Sequence, residues 1–208
     1  MQNSTLVVGS LDALRDALGD DALGPLAPHT DVVVVPTAAA FVGAAQAAVA
    51  TAEVFDGFDV RIEALMVTDR ASNTEPYFVE RLVNADLVVL CDGSPLHART
   101  VWRNSPVGDA INAARSLVAI GAVSSVLGDV MIDPRGGAPT SGLGHRIGVA
   151  FCTPASTEQL DRTRSLLATD VALVVLGRRG VVQYRDHQWR VLRSADVVVT
   201  RGSQVVTL

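Results

Sequence analysis

Ser116-Leu117-Val118-Ala119-Ile120-Gly121-Ala122-Val123-Ser124-Ser125-Val126-Leu127-Gly128-Asp129 decides the fold class of this chain. The apolar run from Leu117 to Ile120 predicts a strand covered on both faces, because a half-exposed strand would alternate with polar residues. Gly121-Ala122 predicts a tight turn, and Val123 to Asp129 a short helix. Strand, turn and helix in that order form the repeating unit of α/β proteins with a parallel sheet.

The same alternation extends in both directions. Leu6-Val7-Val8 precedes Leu11 to Leu18, whose leucines recur at helical spacing. Val32 to Val35 ends at Pro36-Thr37, and the alanine-rich stretch from Ala38 to Thr51 is predicted as a helix on propensity. Phe58 to Leu65 alternates like a strand with one exposed face. Glu75 to Asn84 reads as a helix, and Leu87 to Leu90 as a buried strand ending in Cys91-Asp92-Gly93-Ser94-Pro95. Two further helices, Leu96 to Arg103 and Val107 to Arg115, are separated by Ser105-Pro106. Beyond the opening stretch, Asp133 to Gly142 reads as a turn-rich irregular loop. Ile147 to Phe151 is predicted as a strand, followed by a helix capped by Ser156 and ending near Ala168. Ala172 to Leu176, Val181 to Tyr184, Trp189 to Leu192 and Val197 to Thr200 are predicted to form a β-meander on one sheet edge. The expected fold is therefore α/β, a mainly parallel sheet flanked by helices with a C-terminal β-meander. One domain over residues 1–208 accommodates it, with 171–208 as its β-rich extension.

Composition narrows the chemistry. The chain has 208 residues, 49% of them apolar, and a mean hydropathy of +0.31. Its apolar runs are too short to span a bilayer, which needs ~20 residues in a helix. Polar Gln2-Asn3-Ser4-Thr5 follows Met1, so no secretory signal is expected and the cytoplasm is the expected location. Cys91 and Cys152 are then expected as thiols. A net charge of -5 and 4% aromatic residues offer neither the positive field nor the stacking platforms of a nucleic-acid binder. All 17 basic residues are arginine, so lysine Schiff bases, Ser-Lys dyads and P-loop lysines are excluded. His29, His97 and His187 have no cysteine or carboxylate at metal-ligand spacing, and neither a metal nor a cofactor is expected.

In a nucleophile elbow of G-x-S-x-G type, a strained turn between strand and helix lifts a serine hydroxyl above the sheet. The next backbone amide then stabilises the oxyanion. Here the turn holds Gly121 where that hydroxyl would stand. Asp129-Val130-Met131-Ile132-Asp133-Pro134-Arg135-Gly136-Gly137 and Gly142-Leu143-Gly144 follow it, Pro36-Thr37-Ala38 leaves the second strand, and Ser105-Pro106-Val107 starts a helix. Together these residues resemble the dipeptidase E and cyanophycinase family of serine peptidases, a branch of the class I glutamine amidotransferase-like, flavodoxin-like folds. The resemblance covers roughly Val32 to Val175. Aligned on Val126-Leu127-Gly128-Asp129, the family elbow Gly-Thr-Ser-Ala-Gly falls on Ala119, Ile120, Gly121, Ala122 and Val123, of which only Ala122 matches. The family's Gly-Gly-Asp/Asn-Gln oxyanion turn falls on Asp92-Gly93-Ser94-Pro95, where proline has no amide to donate. Its catalytic histidine falls at Phe151, Cys152 and Thr153. His145 lies five or six residues too early, an offset of ~15–20 Å along a strand.

The resemblance thus implies a peptidase scaffold degenerate at its nucleophile and base, acting as a non-catalytic binder of a small acidic ligand, a peptide or a protein partner. The alternative is an active peptidase or amide hydrolase for aspartyl-type peptides, with Ser124 or Cys152 as a rearranged nucleophile. Ser124 and Ser125 read otherwise as a polar first helical turn, and Cys152 as a buried strand residue. The candidate pocket comprises Asp92, Gly93, Ser94, Gly121, Ala122, Asp133 and Arg135. Asp133 and Arg135 suit a two-pronged grip on a carboxylate or an internal ion pair that shapes the loop. Asp92 and Cys91 read as a ligand-contacting pair or as a turn aspartate beside a core thiol. The apolar composition and the terminal meander suit a homodimer.

Overall fold

A computed structural model of the chain describes residues 4–202 and 204–208. Residues 1–3, on which the expectation of no signal peptide partly rests, and residue 203 lie outside the described residues. Five parallel strands form the centre of the largest sheet: β1 (Ser4–Val8), β2 (Thr30–Val35), β3 (Val60–Ala64), β4 (Leu87–Leu90) and β5 (Ser116–Ile120). Their spatial order is β1-β5-β4-β2-β3. β1, β4 and β5 are buried along their whole length, which explains the apolar runs Leu6 to Val8, Leu87 to Leu90 and Leu117 to Ile120.

Helices cover both faces. On one side, α1 (Leu11–Gly19) and α2 (Ala44–Ala52) pack against Val32, Val34, Val89 and Val118. α1 starts where Ser10 accepts the Ala13 amide at 3.2 Å, and buries Ala13, Leu14, Ala17 and Leu18 at helical spacing. On the other side, α3 (Pro76–Asn84), α4 (Pro95–Trp102) and α5 (Pro106–Asn112) cover Val33, Val88, Leu117 and Ala119. The mainly parallel, helix-flanked α/β sheet expected from the sequence is the one observed. No helix among the described residues is long and apolar enough to cross a membrane.

The C-terminal strands depart from a simple meander. β10 (Val181–Arg185) and β11 (Gln188–Arg193) extend the main sheet antiparallel beyond β1, with Val7 opposite Val182. A second sheet runs in the order β13-β12-β9-β8, built from β8 (Val149–Cys152), β9 (Ala172–Leu176), β12 (Val197–Arg201) and β13 (Gln204–Val205). α6 (Thr157–Leu166) connects β8 to its parallel neighbour β9. The four expected meander strands are therefore shared between two sheets, and the chain crosses over at Gly177 to Gly180. Gly9 permits that crossing, because a Cβ there would lie 1.8 Å from the Gly177 carbonyl oxygen. Alternation identifies a strand but carries no information about which open edge receives it.

Three local expectations also change. The helix expected over Ala38–Thr51 is broken: Thr37–Ala39 forms a 3-10 turn, and α2 starts only after Gly43, whose φ of 120° a helix does not accept. The helix expected over Val123–Asp129 is a 3-10 turn at Gly121–Val126, closed by the Ser124 hydroxyl donating to the Gly121 carbonyl at 2.7 Å. The loop after Asp133 contains half of a hairpin, β6 (Val130–Ile132) with β7 (Pro139–Ser141).

Candidate functional site

β4 and β5 are parallel neighbours with Leu90 opposite Ala119. Two residues further, beyond the carboxyl ends of both strands, Asp92 comes opposite Gly121. Loops at this end of a parallel sheet are where ligands bind. Gly121 has φ 63°, the left-handed conformation that turns the chain sharply out of β5. In its backbone this is an elbow-like turn from strand to 3-10 turn, with glycine at its apex.

The space that a nucleophile would use is filled by Asp92. A Cβ built on Gly121 would lie 2.4 Å from the Asp92 carboxyl carbon and 2.5 Å from each of its oxygens. Asp92 Oδ1 accepts from the Ala122 amide at 2.8 Å and from the Gly93 amide at 2.7 Å. Ala122 follows the elbow position, so its N–H is the donor an elbow aims at a developing oxyanion. Gly93 supplies a second donor from the neighbouring loop. Both lengths fall in the 2.7–3.1 Å range of a working oxyanion hole. The carboxylate oxygen therefore occupies both amide donors.

Sequence places the loop that carries this plug. A Cβ on Gly93 would meet the Ala38 carbonyl oxygen at 2.2 Å, and the Ser94 amide donates to that same oxygen at 2.7 Å. The Ser94 hydroxyl accepts from His97 N at 3.3 Å, capping α4. Asp92, Gly93, Ser94, Gly121 and Ala122 are thus brought together as one unit. Asp133 and Arg135 are not part of it. Asp133 accepts the Arg135 backbone amide at 2.9 Å, a local turn, while the Arg135 side chain is exposed.

Two hollows flank the elbow. An open cleft of about 500 Å³ runs from Asp92, Gly121 and Ala122 to Ser10, Asp12 and Arg178. A smaller cavity of about 140 Å³ is lined by Ala122, Ser125, Ile132, Cys152 and Thr153. Ser125 is buried and its hydroxyl finds no partner among the described residues, whereas the Ser124 hydroxyl is committed to the Gly121 carbonyl. Burial pushes the Cys152 thiol up to about 12, so it is protonated and weakly nucleophilic at neutral pH. Cys91, buried beside Thr51 on the α2 side, is pushed up to about 11, mainly by burial.

His145 sits at the other end of the sheet. Its Nε2 is 3.0 Å from Thr5 Oγ1, and Thr5 pairs with Leu117 at the start of β5. Four residues of strand, ~13 Å, separate that position from Gly121. His97 meets the Thr68 carbonyl at 2.8 Å, and His29 pairs with Asp59 on the surface. No group of three or more His, Cys, Asp or Glu side chains able to hold a metal ion occurs among the described residues. Sequence reading missed the confrontation of Asp92 with Gly121. Its only signal was that each lies just past the end of a buried strand.

No protein-family model matches the chain, and neither does any curated protein. Solved structures do match. A crystal structure of a peptidase from an acI-B1 Actinobacterium superposes with a TM-score of 0.74 at 20% identity, covering 100% of this chain and 98% of that one. The "Putative Peptidase E Protein from Listeria monocytogenes EGD-e" superposes with a TM-score of 0.65 at 10% identity, covering 97% of this chain and 99% of that one. At these identities the likeness is one of fold, and the fold is peptidase-like.

Proposed function

We propose that the chain is a non-catalytic relative of peptidase E-type proteins, in which its own carboxylate closes the oxyanion site and the neighbouring cleft binds a small ligand or a protein partner. One observation carries the reading: Asp92 Oδ1 accepts from both the Ala122 and Gly93 amides, directly above the glycine that replaces a nucleophile. A triad would need an attacking atom, a base within ~3 Å of it and two free donors. Gly121 offers no hydroxyl, His145 lies at the far end of β5, and both donors are taken. The cleft brings Asp12 and Asp92 together with Arg178. This mixed lining suits a zwitterionic ligand, such as the end of a peptide, better than a plain acid.

Incubation with a fluorophosphonate probe, read by intact mass, is expected to leave the 21.8 kDa chain unmodified. Stoichiometric labelling of Ser124 or Ser125 would overturn the reading in favour of a rearranged hydrolase.

A further inference from the structure

β3 is the last strand of the main sheet, and among the described residues no strand pairs with its outer edge. We infer that this edge is a self-association surface, on which a second copy of the chain adds its own β3 antiparallel, with Ile62 facing Ile62 across a two-fold axis.

The backbone sets the register. The Leu65 amide donates to the Val34 carbonyl on β2. In a parallel ladder alternate residues bond to the same neighbour, so Glu63 and Arg61 also turn their amides and carbonyls toward β2. Ile62 and Ala64 then direct theirs outward. An antiparallel copy centred on Ile62 exchanges both bonds between the two Ile62 residues and sets Val60 opposite Ala64 of the second copy.

The side chains are self-complementary in that register, whereas the register centred on Val60, which would set Arg61 against Asp59, reaches past the start of β3. Arg61 falls opposite Glu63 of the second copy, and Glu63 opposite its Arg61, so two opposite-charge pairs form by symmetry. A shift of two residues sets Arg61 against Arg61 or Glu63 against Glu63. Glu63 is held on the α3 side by Arg81 Nε at 2.6 Å and by the Tyr77 hydroxyl, so Arg61 and Glu63 share that face. Val60, Ile62 and Ala64 form an uncharged stripe on the other. Phe58, Ile62, Met66 and Tyr77 are large apolar side chains exposed on or beside this edge, between 37% and 55% of their surface. Natural edge strands that remain free are guarded by short length, charged side chains, a proline, a bulge or an inward-pointing charge, and of these β3 carries the charged side chains Arg61 and Glu63. β3 has no proline, and its register with β2 runs unbroken from Val60 to Ala64. Charge complementarity selects a second copy over an unrelated strand, because the recognition sequence Arg-Ile-Glu reads as its own partner. This inference is independent of whether the elbow is catalytic.

Sedimentation of the intact protein is expected to give twice the 21.8 kDa chain mass. Ile62→Cys is expected to form a covalent dimer under mild oxidation, since paired Cα atoms ~5.5 Å apart suit a disulfide. Val60→Cys is not, because its symmetry mate lies four residues along the strand, ~13 Å away. Wild type, with Cys91 and Cys152 buried or largely buried, is the blank. Arg61→Glu is expected to weaken association about tenfold, equivalent to ~1.4 kcal/mol, while Arg61→Lys retains it. A monomer at every concentration, a dimer that crosslinks at Val60 in place of Ile62, or an Arg61→Glu variant that dimerises like wild type would each overturn the inference.

Discussion

Replacing Gly121 by serine is expected to destabilise the protein by about 3 kcal/mol, and most of that cost is expected to vanish when Asp92 is alanine. Two effects add. A residue with a Cβ at φ 63° carries backbone strain of about 1 kcal/mol or somewhat more. The new Cβ would also lie 2.4–2.5 Å from three atoms of the Asp92 carboxyl group, a separation no real contact reaches. Asp92 must swing away, releasing the Ala122 and Gly93 amides, and two charge-assisted hydrogen bonds at an exposed site represent about 2 kcal/mol together. In Asp92→Ala those bonds are already absent and the space is open, so only the backbone strain remains, about 1 kcal/mol. Urea unfolding of wild type, both single variants and the double variant gives the coupling directly. Equal costs for Gly121→Ser in the two backgrounds would mean that the carboxylate does not fill the elbow. The double variant has a hydroxyl and two free donors, but no imidazole lines the cleft or the cavity beside them, and it is expected to remain unlabelled by a fluorophosphonate. Labelling would show that a base reaches the site.

How much of this was legible beforehand depends on the range of the interactions concerned. Leu117 to Ile120 announced a buried strand because both its faces are covered, and Gly121 announced a sharp turn because glycine adopts φ 63° at no steric cost. Both signals are local. The plug is not local: Asp92 and Gly121 are 29 positions apart, and they meet only because β4 and β5 are neighbours in the register Leu90 to Ala119. Nothing in either strand's sequence states that pairing. Alanine content misread the stretch from Ala38 to Thr51 because propensity ignores packing: Ala38 and Ala39 are buried in a turn, and Gly43 forces the helix to restart. The terminal strands were each visible, but the β10–β11 hairpin left β9 for the open edge of β1. Asp133 and Arg135 looked like a charge pair on spacing, whereas the carboxylate caps the arginine's backbone amide. Short polar side chains beside glycines bond to the local backbone before they reach for a ligand.

Between pH 6.5 and 4 the protein is expected to lose about 3 kcal/mol of stability through His145 alone. The imidazole is pushed down to about 4, mainly by burial, with the neighbouring Arg146 guanidinium adding to the effect. Its surroundings explain why the neutral form is held. Nδ1 is 3.2 Å from the Asn112 carbonyl, an acceptor only, which assigns the ring proton to Nδ1. Nε2 then accepts from the Thr5 hydroxyl, whose oxygen in turn accepts from Arg146 Nη2 at 2.7 Å. Arg146 lies over the Tyr184 ring, 4.4 Å from its centre, so a second cation at His145 would share a desolvated site with it. The folded-state value lies below the unfolded value of 6.5, so the unfolded chain binds the proton first as pH falls. The stabilisation is therefore complete above pH 6.5, declines by up to ~1.4 kcal/mol per pH unit below it, and is exhausted near pH 4. Acid-sensitive carboxylates add their own slopes, and His145→Gln separates them: its glutamine oxygen can still accept from Thr5 but binds no proton in this range. Urea unfolding from pH 8 to 4 is expected to show a wild-type slope steeper than that of His145→Gln by close to one proton below pH 6.5. Parallel curves for the two proteins would mean that His145 is free to protonate in the folded state, and so is not sealed at the amino end of β5 away from the elbow.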